Sequence, residues 1–385
     1  MSVIKSLKKS NIFLIAIILF LIAIISILLI NNNTDKVIIS SGNSHKENIN
    51  TSNALTMMYE TEAGSGEYQV SSDTTWPQDG YVFNETLSKC ENGGILTWDD
   101  ENKKVLLQTN TSDKCYVYFD KEPDVIYLAD YIKNTVYQGD GVNGLYYHDG
   151  QGTYTNADQE AGDNSYRYAG TNPDNYVCFG DDCSDENNLY RIIGVFGSEV
   201  KLIKNTNIGK YAWDSGGSNT WNSSTKPDIR NTLNITFLNT LNITWQNKIA
   251  THTYKVGGMD YGYSTTAKQY YDTEVGSSSS STTDSMKIGL MYVSDYGYAA
   301  NPSSWTTSLT NYRNNDWLKS SSTEFFISPR SDTSNIAFYQ TGGGVVAAIT
   351  NCVIELWAVR PSFYLNSDVQ YISGSGTQSD PFRIA

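Results

Sequence analysis

The stretch Glu355-Leu-Trp-Ala-Val-Arg360-Pro-Ser-Phe-Tyr-Leu365 lies near the end of the chain and combines aliphatic and aromatic side chains with a single Arg-Pro step. Residues of these types favour extended structure, because large side chains pack well on a pleated surface. We therefore predict that this stretch is a central strand of the last domain. The segment after it closes with Asp380-Pro-Phe-Arg-Ile384, where apolar and polar residues alternate, and this pattern predicts a final strand.

Segments earlier in the sequence predict further strands and helices of the same domain. Residues 189–196 and 199–204 are rich in apolar side chains and flank a Gly-Ser turn, which is typical of a β-hairpin. Over residues 229–237, apolar side chains recur every four positions, as they do on one face of a helix. Residues 255–286 are rich in Gly, Ser and Tyr and are predicted to form a long loop. These patterns indicate an α+β fold class.

The composition excludes one broad class of partner. The 385 residues have a formal net charge of −14, and only 18% of them are charged. With no basic cluster beyond the first residues, the chain is not expected to bind nucleic acid, because phosphate contacts need Lys and Arg. The 28 tyrosines suit either strands or an adaptable binding surface, and the composition leaves both uses open.

The N-terminus has the features of a membrane anchor. Three lysines precede an apolar run over residues 12–30, which is long enough to span a bilayer as a helix. No Ala-x-Ala-like cleavage site follows, so residues 1–30 are predicted to form a short cytoplasmic tip and an uncleaved, single-pass anchor. The bulk of the chain would then be extracellular. Residues 31–54 are mostly Asn, Ser, Thr and Lys and predict a flexible stalk.

Four of the five cysteines fall into two pairs. Residues 55–122 alternate strand-like segments with turn signals and predict a small all-β, sandwich-like module. Within this module, Cys90 and Cys115 are predicted to form a disulfide, as is usual in small extracytoplasmic domains. Cys178 and Cys183 do not have a usual zinc or thioredoxin spacing. They could form a short disulfide or remain as two thiols.

Several motifs of the second half occur together in a fixed order. They are Trp221-Asn-Ser-Ser, Ile229-Arg-Asn-Thr-Leu, Ile288-Gly-Leu, Val293-Ser-Asp-Tyr, Trp317-Leu, Val359-Arg-Pro and the closing Gly374-Ser-Gly-Thr-Gln-Ser-Asp-Pro. This set resembles a bacterial surface domain family of unknown function with a C-type-lectin-like fold, found in gut Firmicutes. The likeness covers about residues 160–385. It implies that residues 123–385 form a mixed sheet with two helices and long loops, and it brings no catalytic residues.

The sequence contains no recognisable catalytic or metal-binding signature. Its three histidines are His45, His148 and His252, and no Gly-x-Ser-x-Gly motif accompanies them. The Gly- and Asp-rich loop 139–144 lacks the alternating acidic residues of a calcium-binding helix-loop-helix. We therefore predict no catalytic residue, metal or cofactor. Formylglycine-generating oxidases share the lectin-like fold, but they use a pair of cysteines near the C-terminus, where this chain has only Cys352.

Two hypotheses of function follow from the sequence. In the first, the chain is a non-catalytic display protein that binds a glycan or a surface protein through the loops of the lectin-like domain. Tyr261, Tyr263, Trp305 and Tyr312 would then provide stacking and hydrogen-bonding contacts. In the second, it is a surface enzyme, either a hydrolase or a formylglycine-generating-like oxidase, with a site assembled from distant residues.

Overall fold

The chain divides into two compact units, Met1–Asp124 and Val125–Ala385, close to the predicted boundary after residue 122. The computed structural model describes residues 36–39, 54–73, 75–109, 112–151, 159–222, 224–262, 265–312, 316–350 and 353–385. No helix among these residues is both long and apolar enough to cross a membrane, and the predicted anchor at 12–30 lies outside them.

The first unit consists of two β-sheets. One sheet has the order β3-β2-β8-β4, with β5 also paired to β8, and the other has the order β1-β7-β6. The strands are β1 (Lys36–Ile39), β2 (Ala54–Glu60), β3 (Tyr68–Val70), β4 (Tyr81–Phe83), β5 (Lys89–Cys90), β6 (Ile95–Asp99), β7 (Lys104–Gln108) and β8 (Lys114–Lys121).

Strand β8 shows why this unit folds as an all-β module. Its side chains alternate between the interior and the surface, and Cys115, Val117 and Phe119 are fully buried. They form one apolar cluster with residues of the other sheet, among them Leu107. Cys115 is also disulfide-bonded to Cys90 on the neighbouring β5, which confirms the predicted pair.

Part of the predicted flexible stalk forms a strand. Strand β1 pairs antiparallel with β7, with Lys36 opposite Gln108 and Ile39 opposite Val105. Three of its four residues are β-branched, which favours a strand over a flexible linker. The rest of residues 31–53 lies outside the described part of the chain.

The second unit has mixed sheets and five α-helices among its described residues, which confirms the α+β class. The resemblance implied only two helices. The five are α1 (Leu128–Tyr131), α2 (Asp228–Asn231), α3 (Ile243–Asn247), α4 (Ala267–Glu274) and α5 (Val293–Tyr298). Helix α2 continues as a π-helical turn over Thr232–Phe237, within the predicted helix. Helix α4 lies in a predicted loop and begins with a capping box between Thr266 and Gln269.

A nine-stranded sheet forms the centre of the second unit. Its main path is β17-β22-β13-β12-β11-β24-β23, while β10 joins β12 to β9. The strands are β9 (Leu145–His148), β10 (Ser165–Tyr168), β11 (Tyr176–Cys178), β12 (Leu189–Phe196), β13 (Glu199–Lys204), β17 (Ile288–Gly289), β22 (Ser362–Tyr364), β23 (Tyr371–Ser373) and β24 (Phe382–Ile384). The predicted hairpin is present as the antiparallel pair β12–β13.

Two smaller sheets complete the unit. A five-stranded sheet has the order β14-β21-β18-β19-β20, and β15 pairs with β16. These strands are β14 (Lys210–Tyr211), β15 (His252–Lys255), β16 (Thr283–Met286), β18 (Glu324–Pro329), β19 (Ala337–Gln340), β20 (Val346–Ala347) and β21 (Trp357–Ala358).

The stretch 355–365 forms two short strands in two different sheets. Strand β21 belongs to the five-stranded sheet, whereas β22 belongs to the nine-stranded sheet. Pro361 lies between them and has no N–H to donate, so the strand is interrupted there and the chain crosses from one sheet to the other. The prediction of a single central strand was therefore wrong.

The C-terminus closes the nine-stranded sheet. Strand β24 lies between β11, to which it is parallel, and β23, to which it is antiparallel. Phe382 and Ile384 are buried, while Arg383 between them is exposed. Nearby, the ring of Tyr131 from α1 stacks on that of Tyr371, so the two ends of the unit are in contact.

We predict that deletion of residues 375–385 abolishes cooperative unfolding of the second unit, because it leaves β11 and β23 without their shared partner. Differential scanning calorimetry should lose the transition of the second unit and keep that of the first. The control is Arg383→Ala, which removes only a surface ion pair with Asp380 and should change stability by less than about 1 kcal/mol. A truncated chain that melts like the full-length chain would show that this segment is dispensable.

Candidate functional site

A cleft of about 540 Å³ opens in the second unit beside the β12–β13 hairpin. Three segments form its walls: the turn before β12, the segment that follows β13, and the helical stretch after α2. The lining residues are Asp185, Asn187, Asn188, Tyr190, Lys204, Asn207, Ile208, Tyr211, Thr232, Thr236, Phe237, Thr240 and Leu241.

The hairpin holds two polar side chains together on the buried side of this cleft. Tyr190 on β12 is directly opposite Lys204 on β13, so both side chains lie on the same face of the sheet. The Lys204 Nζ atom is 5.4 Å from the centre of the Tyr190 ring. That ring is fixed by edge contacts with Phe179 and Phe363, at centroid distances of 5.3 and 5.5 Å.

Lys204 has spare hydrogen-bonding capacity. Only 6% of the residue is exposed, and its Nζ donates to the carbonyl oxygen of Asn187 at 2.8 Å, with the Thr206 hydroxyl at 3.5 Å. Within the described residues it forms no ion pair with a carboxylate. Burial lowers its pKa, while the charge of Asp185 acts in the opposite direction. A nearly buried ammonium without a counter-ion is costly, which makes it a natural contact for an anionic or strongly accepting ligand.

Tyr190, which also lines the cleft, has an unsatisfied hydroxyl. It is buried and has no hydrogen-bond partner in the described part of the chain. Burial raises its pKa well above the usual range, so at neutral pH it is a protonated donor. An unpaired buried hydroxyl costs about 1–3 kcal/mol, and a ligand that accepts its hydrogen bond would recover this energy.

The remaining lining is mostly amide and hydroxyl, with some aromatic surface. Asn188 and Asn207 contribute amides, and Thr232, Thr236 and Thr240 contribute hydroxyls. The half-buried ring of Tyr211 and the buried ring of Phe237 add apolar faces. This combination suits a small ligand with many hydroxyl groups, since amides bond the hydroxyls while aromatic rings cover the C–H faces.

The Cys178–Cys183 disulfide braces one wall of the cleft. The two sulfur atoms are bonded at 2.08 Å, which resolves the alternatives left open by the sequence. Asp182 lies in the loop that this disulfide closes, and its carbonyl accepts a hydrogen bond from the Asn188 side chain at 2.9 Å. The backbone N–H of Phe179, just after Cys178, donates to the Asn188 carbonyl at 2.8 Å. These contacts fix the turn that carries Asn187 and Asn188.

The aromatic residues proposed from the sequence do not form this site. Trp305 and Tyr312 are 1% and 0% exposed, and their polar atoms bond the carbonyls of Ala300 and Gly297. Their rings are interior packing and offer no face to an external ligand. Tyr261 is half-buried beside the Arg330 guanidinium. Tyr263 lies outside the described residues. None of the three described rings lines the cleft.

The surroundings of His148 indicate a structural role for its side chain. It is completely buried, and its Nδ1 accepts a hydrogen bond from the Ala161 N–H at 3.2 Å. Its ring packs against Tyr298 and Trp305 at centroid distances of 4.8 and 4.9 Å. Burial, assisted by the positive charge of Arg167, lowers the pKa of His148 to about 3, so the ring is neutral in the folded protein.

His252 has a carboxylate neighbour but no nucleophile beside it. Its Nδ1 is 3.0 Å from a Glu199 oxygen, and its ring stacks on Tyr364 at 3.7 Å. Burial lowers the pKa of His252 despite this carboxylate. Among the described residues, neither this histidine nor His148 hydrogen-bonds a serine hydroxyl or a thiol; His45 and Cys352 lie outside those residues.

One cluster of metal-ligand types occurs in the part of the chain that the structure describes. It consists of Cys90, Asp113 and Cys115 in the first unit. The two sulfur atoms are bonded to each other, and a disulfide lacks the thiolates that bind metal ions. The Asp113 oxygens instead accept hydrogen bonds from the N–H groups of Asn92 and Gly94, both at 2.8 Å.

No family model, curated protein or solved structure matches the chain. The cleft therefore provides the main basis for a proposal of function. Sequence patterns predicted the hairpin but not the cleft, whose walls extend from residue 185 to residue 241. One local signal was available: Lys204 shares a strand face with Val200 and Leu202, and a lysine is unusual on an apolar face.

We predict that His148 makes the second unit less stable in mild acid. Its pKa of about 3 in the folded state is below the 6.5 of a free histidine, so the unfolded chain takes up the proton first. The contribution of His148 to stability is then full above pH 6.5 and falls as the pH decreases, by about 2 kcal/mol between pH 7 and 5. Denaturant titrations at a series of pH values measure this contribution as the difference between the natural chain and a His148 variant, because the buried Asp316, whose pKa is raised to about 8, acts in the opposite direction.

The matched variant is His148→Asn, which keeps an acceptor for the Ala161 N–H but does not titrate. It should be less stable overall, and between pH 7 and 5 its stability relative to that of the natural chain should change by about 2 kcal/mol, which is the contribution of His148. His252→Asn, at a partly exposed position, serves as the comparison and should change the pH dependence less, because the Glu199 carboxylate opposes the effect of burial on the pKa of His252. Parallel curves for His148→Asn and the natural chain would contradict the assignment of the slope to this buried ring.

Proposed function

We propose that the chain is a membrane-anchored extracellular protein that binds a glycan in the cleft of its second unit and catalyses no reaction. The observation that supports this most strongly is the lining of the cleft, in which amides, hydroxyls and aromatic faces converge around one lysine. Its volume of about 540 Å³ falls in the range of small-molecule sites, roughly 300–1,000 Å³.

The small size and polar lining of the cleft favour a glycan over a protein ligand. A stable protein interface buries about 800 Å² on each partner and has an apolar, aromatic centre. The cleft has thirteen lining residues, whereas such an interface has about 20–30 on each side, and most of the thirteen are polar. A sugar can satisfy many neutral donors and acceptors within such a volume, and its C–H faces can lie against Tyr211 and Phe237.

Two features of the chain support an extracellular location. The apolar residues 12–30 after three lysines have the length and flank of a signal anchor with a cytoplasmic N-terminus. Both disulfides are of the kind that persists in oxidising compartments. Because these bonds use four of the five cysteines, Cys352 has no second thiol with which to form the cysteine pair of a formylglycine-generating oxidase.

A single binding experiment on cells tests both parts of the proposal. Intact cells that express the full chain should bind fluorescent glycans from an array, and protease added outside the cells should abolish binding. Thr236→Tyr should also abolish it, because Thr236 is exposed and lines the cleft, so that a larger side chain fills the space without disturbing the core.

The control is Ile235→Tyr, since Ile235 is 56% exposed on the same helical turn but does not line the cleft. This variant should bind like the natural chain. Glycan binding that survives Thr236→Tyr would rule out the cleft as the site. A second unit that stays intact when protease is added to whole cells, and is digested only after the cells are lysed, would argue against the extracellular location.

A further inference from the structure

Building on the proposed function, we propose that the ligand of the cleft is an acidic glycan, and that the Lys204 ammonium and the Tyr190 hydroxyl together bind its carboxylate. Lys204 and Tyr190 lie on adjacent strands and both line the cleft, and each has a buried donor without an adequate partner. A carboxylate accepts several hydrogen bonds at once and would satisfy both groups, whereas a neutral sugar would leave the ammonium without a counter-charge.

Lys204 differs from the other buried cations of the second unit. Arg167, Lys201 and Arg360 each form an ion pair with a carboxylate, at 2.6, 2.6 and 2.5 Å. Arg191 has no such carboxylate, but its guanidinium donates to three oxygens and lies over two aromatic rings. Lys204 has one short hydrogen bond to a backbone carbonyl and faces the cleft. Because Lys204 lines an open cleft, a ligand bound there can supply the carboxylate that the described residues do not.

Asp185 is the one carboxylate among the described residues that line the cleft, and its position is compatible with an anionic ligand. It caps the turn before β12, where one oxygen accepts a hydrogen bond from the Asn187 N–H at 2.8 Å. Its negative charge raises the pKa of Lys204 against the effect of burial and so helps to keep the ammonium charged. It forms no ion pair with Lys204, and therefore leaves the ammonium available to the ligand.

The test compares matched sugars on the full chain in detergent micelles. The probes are one oligosaccharide ending in glucuronate, one ending in N-acetylneuraminate and one ending in glucose, all on the same linker. Isothermal titration calorimetry should give an affinity at least about tenfold higher for one of the acidic sugars than for the neutral sugar, and the difference should shrink at high salt. The two acidic probes distinguish a uronate ligand from a sialate ligand.

Two substitutions assign the preference to the two side chains. Lys204→Gln should remove the acidic preference and leave residual binding of the neutral sugar. Tyr190→Phe should weaken acidic binding by about threefold or more without lowering the melting temperature, because the hydroxyl that it removes has no partner in the unliganded protein. The controls are Lys210→Gln, an exposed lysine on β14, and Tyr168→Phe, which removes another buried unpartnered hydroxyl away from the cleft. Neither should change affinity.

The possible outcomes separate this inference from the proposed function. Equal affinity for acidic and neutral sugars would overturn the inference while leaving glycan binding intact. An acidic preference that persists in both Lys204→Gln and Tyr190→Phe would overturn it as well. No binding of any sugar, with peptides bound instead, would overturn both proposals.

Discussion

Arg360 and Glu324 form a two-point ion pair inside the second unit, and the arrangement of its sheets depends on it. The guanidinium contacts both carboxylate oxygens, at 2.5 and 2.9 Å, and also donates to the Leu318 carbonyl at 2.5 Å. Glu324 is on β18, whereas Arg360 lies where the chain leaves β21 to enter β22. The pair therefore fixes the point at which the chain crosses between the two sheets. Removing one partner of such a buried pair typically costs about 3–5 kcal/mol.

The crossing also determines the position of the cleft. The backbone N–H of Lys204 donates to the carbonyl of Pro361 at 2.9 Å, and that of Ile208 donates to Val359 at the same distance. The residues that flank Arg360 thus hold the end of β13 and the segment that follows it. The interior reaches its charge balance through pairs such as Arg360–Glu324, but Lys204 has its backbone fixed and its ammonium unpaired. A rigid frame around an ammonium that forms no ion pair is what a preorganised binding site requires.

Short sequence patterns predicted those elements whose partners are close to them in the sequence. The hairpin at 189–204 was predicted from its turn residues, and the Cys90–Cys115 disulfide from its place in a small β module. For Cys178 and Cys183 the sequence left a short disulfide and two thiols open, and the structure shows the disulfide. The stretch 355–365 was taken for one strand because the strand-like side chains on both sides of Pro361 outweighed its missing N–H. Trp305 was assigned to a binding surface because composition cannot distinguish an aromatic residue of the core from one in a loop. The cleft could not be predicted, since Lys204 gains its environment from segments that meet only in the folded chain.

The central claim is that a cleft fixed by this crossing presents Lys204 to an anionic group of a glycan. A crystal structure of the protein with a bound uronate- or sialate-ended oligosaccharide tests it most directly. The account predicts density for the sugar in the cleft, with its carboxylate within hydrogen-bonding distance of the Lys204 ammonium and the Tyr190 hydroxyl. A sugar bound elsewhere on the second unit, with the cleft filled only by water, would contradict it.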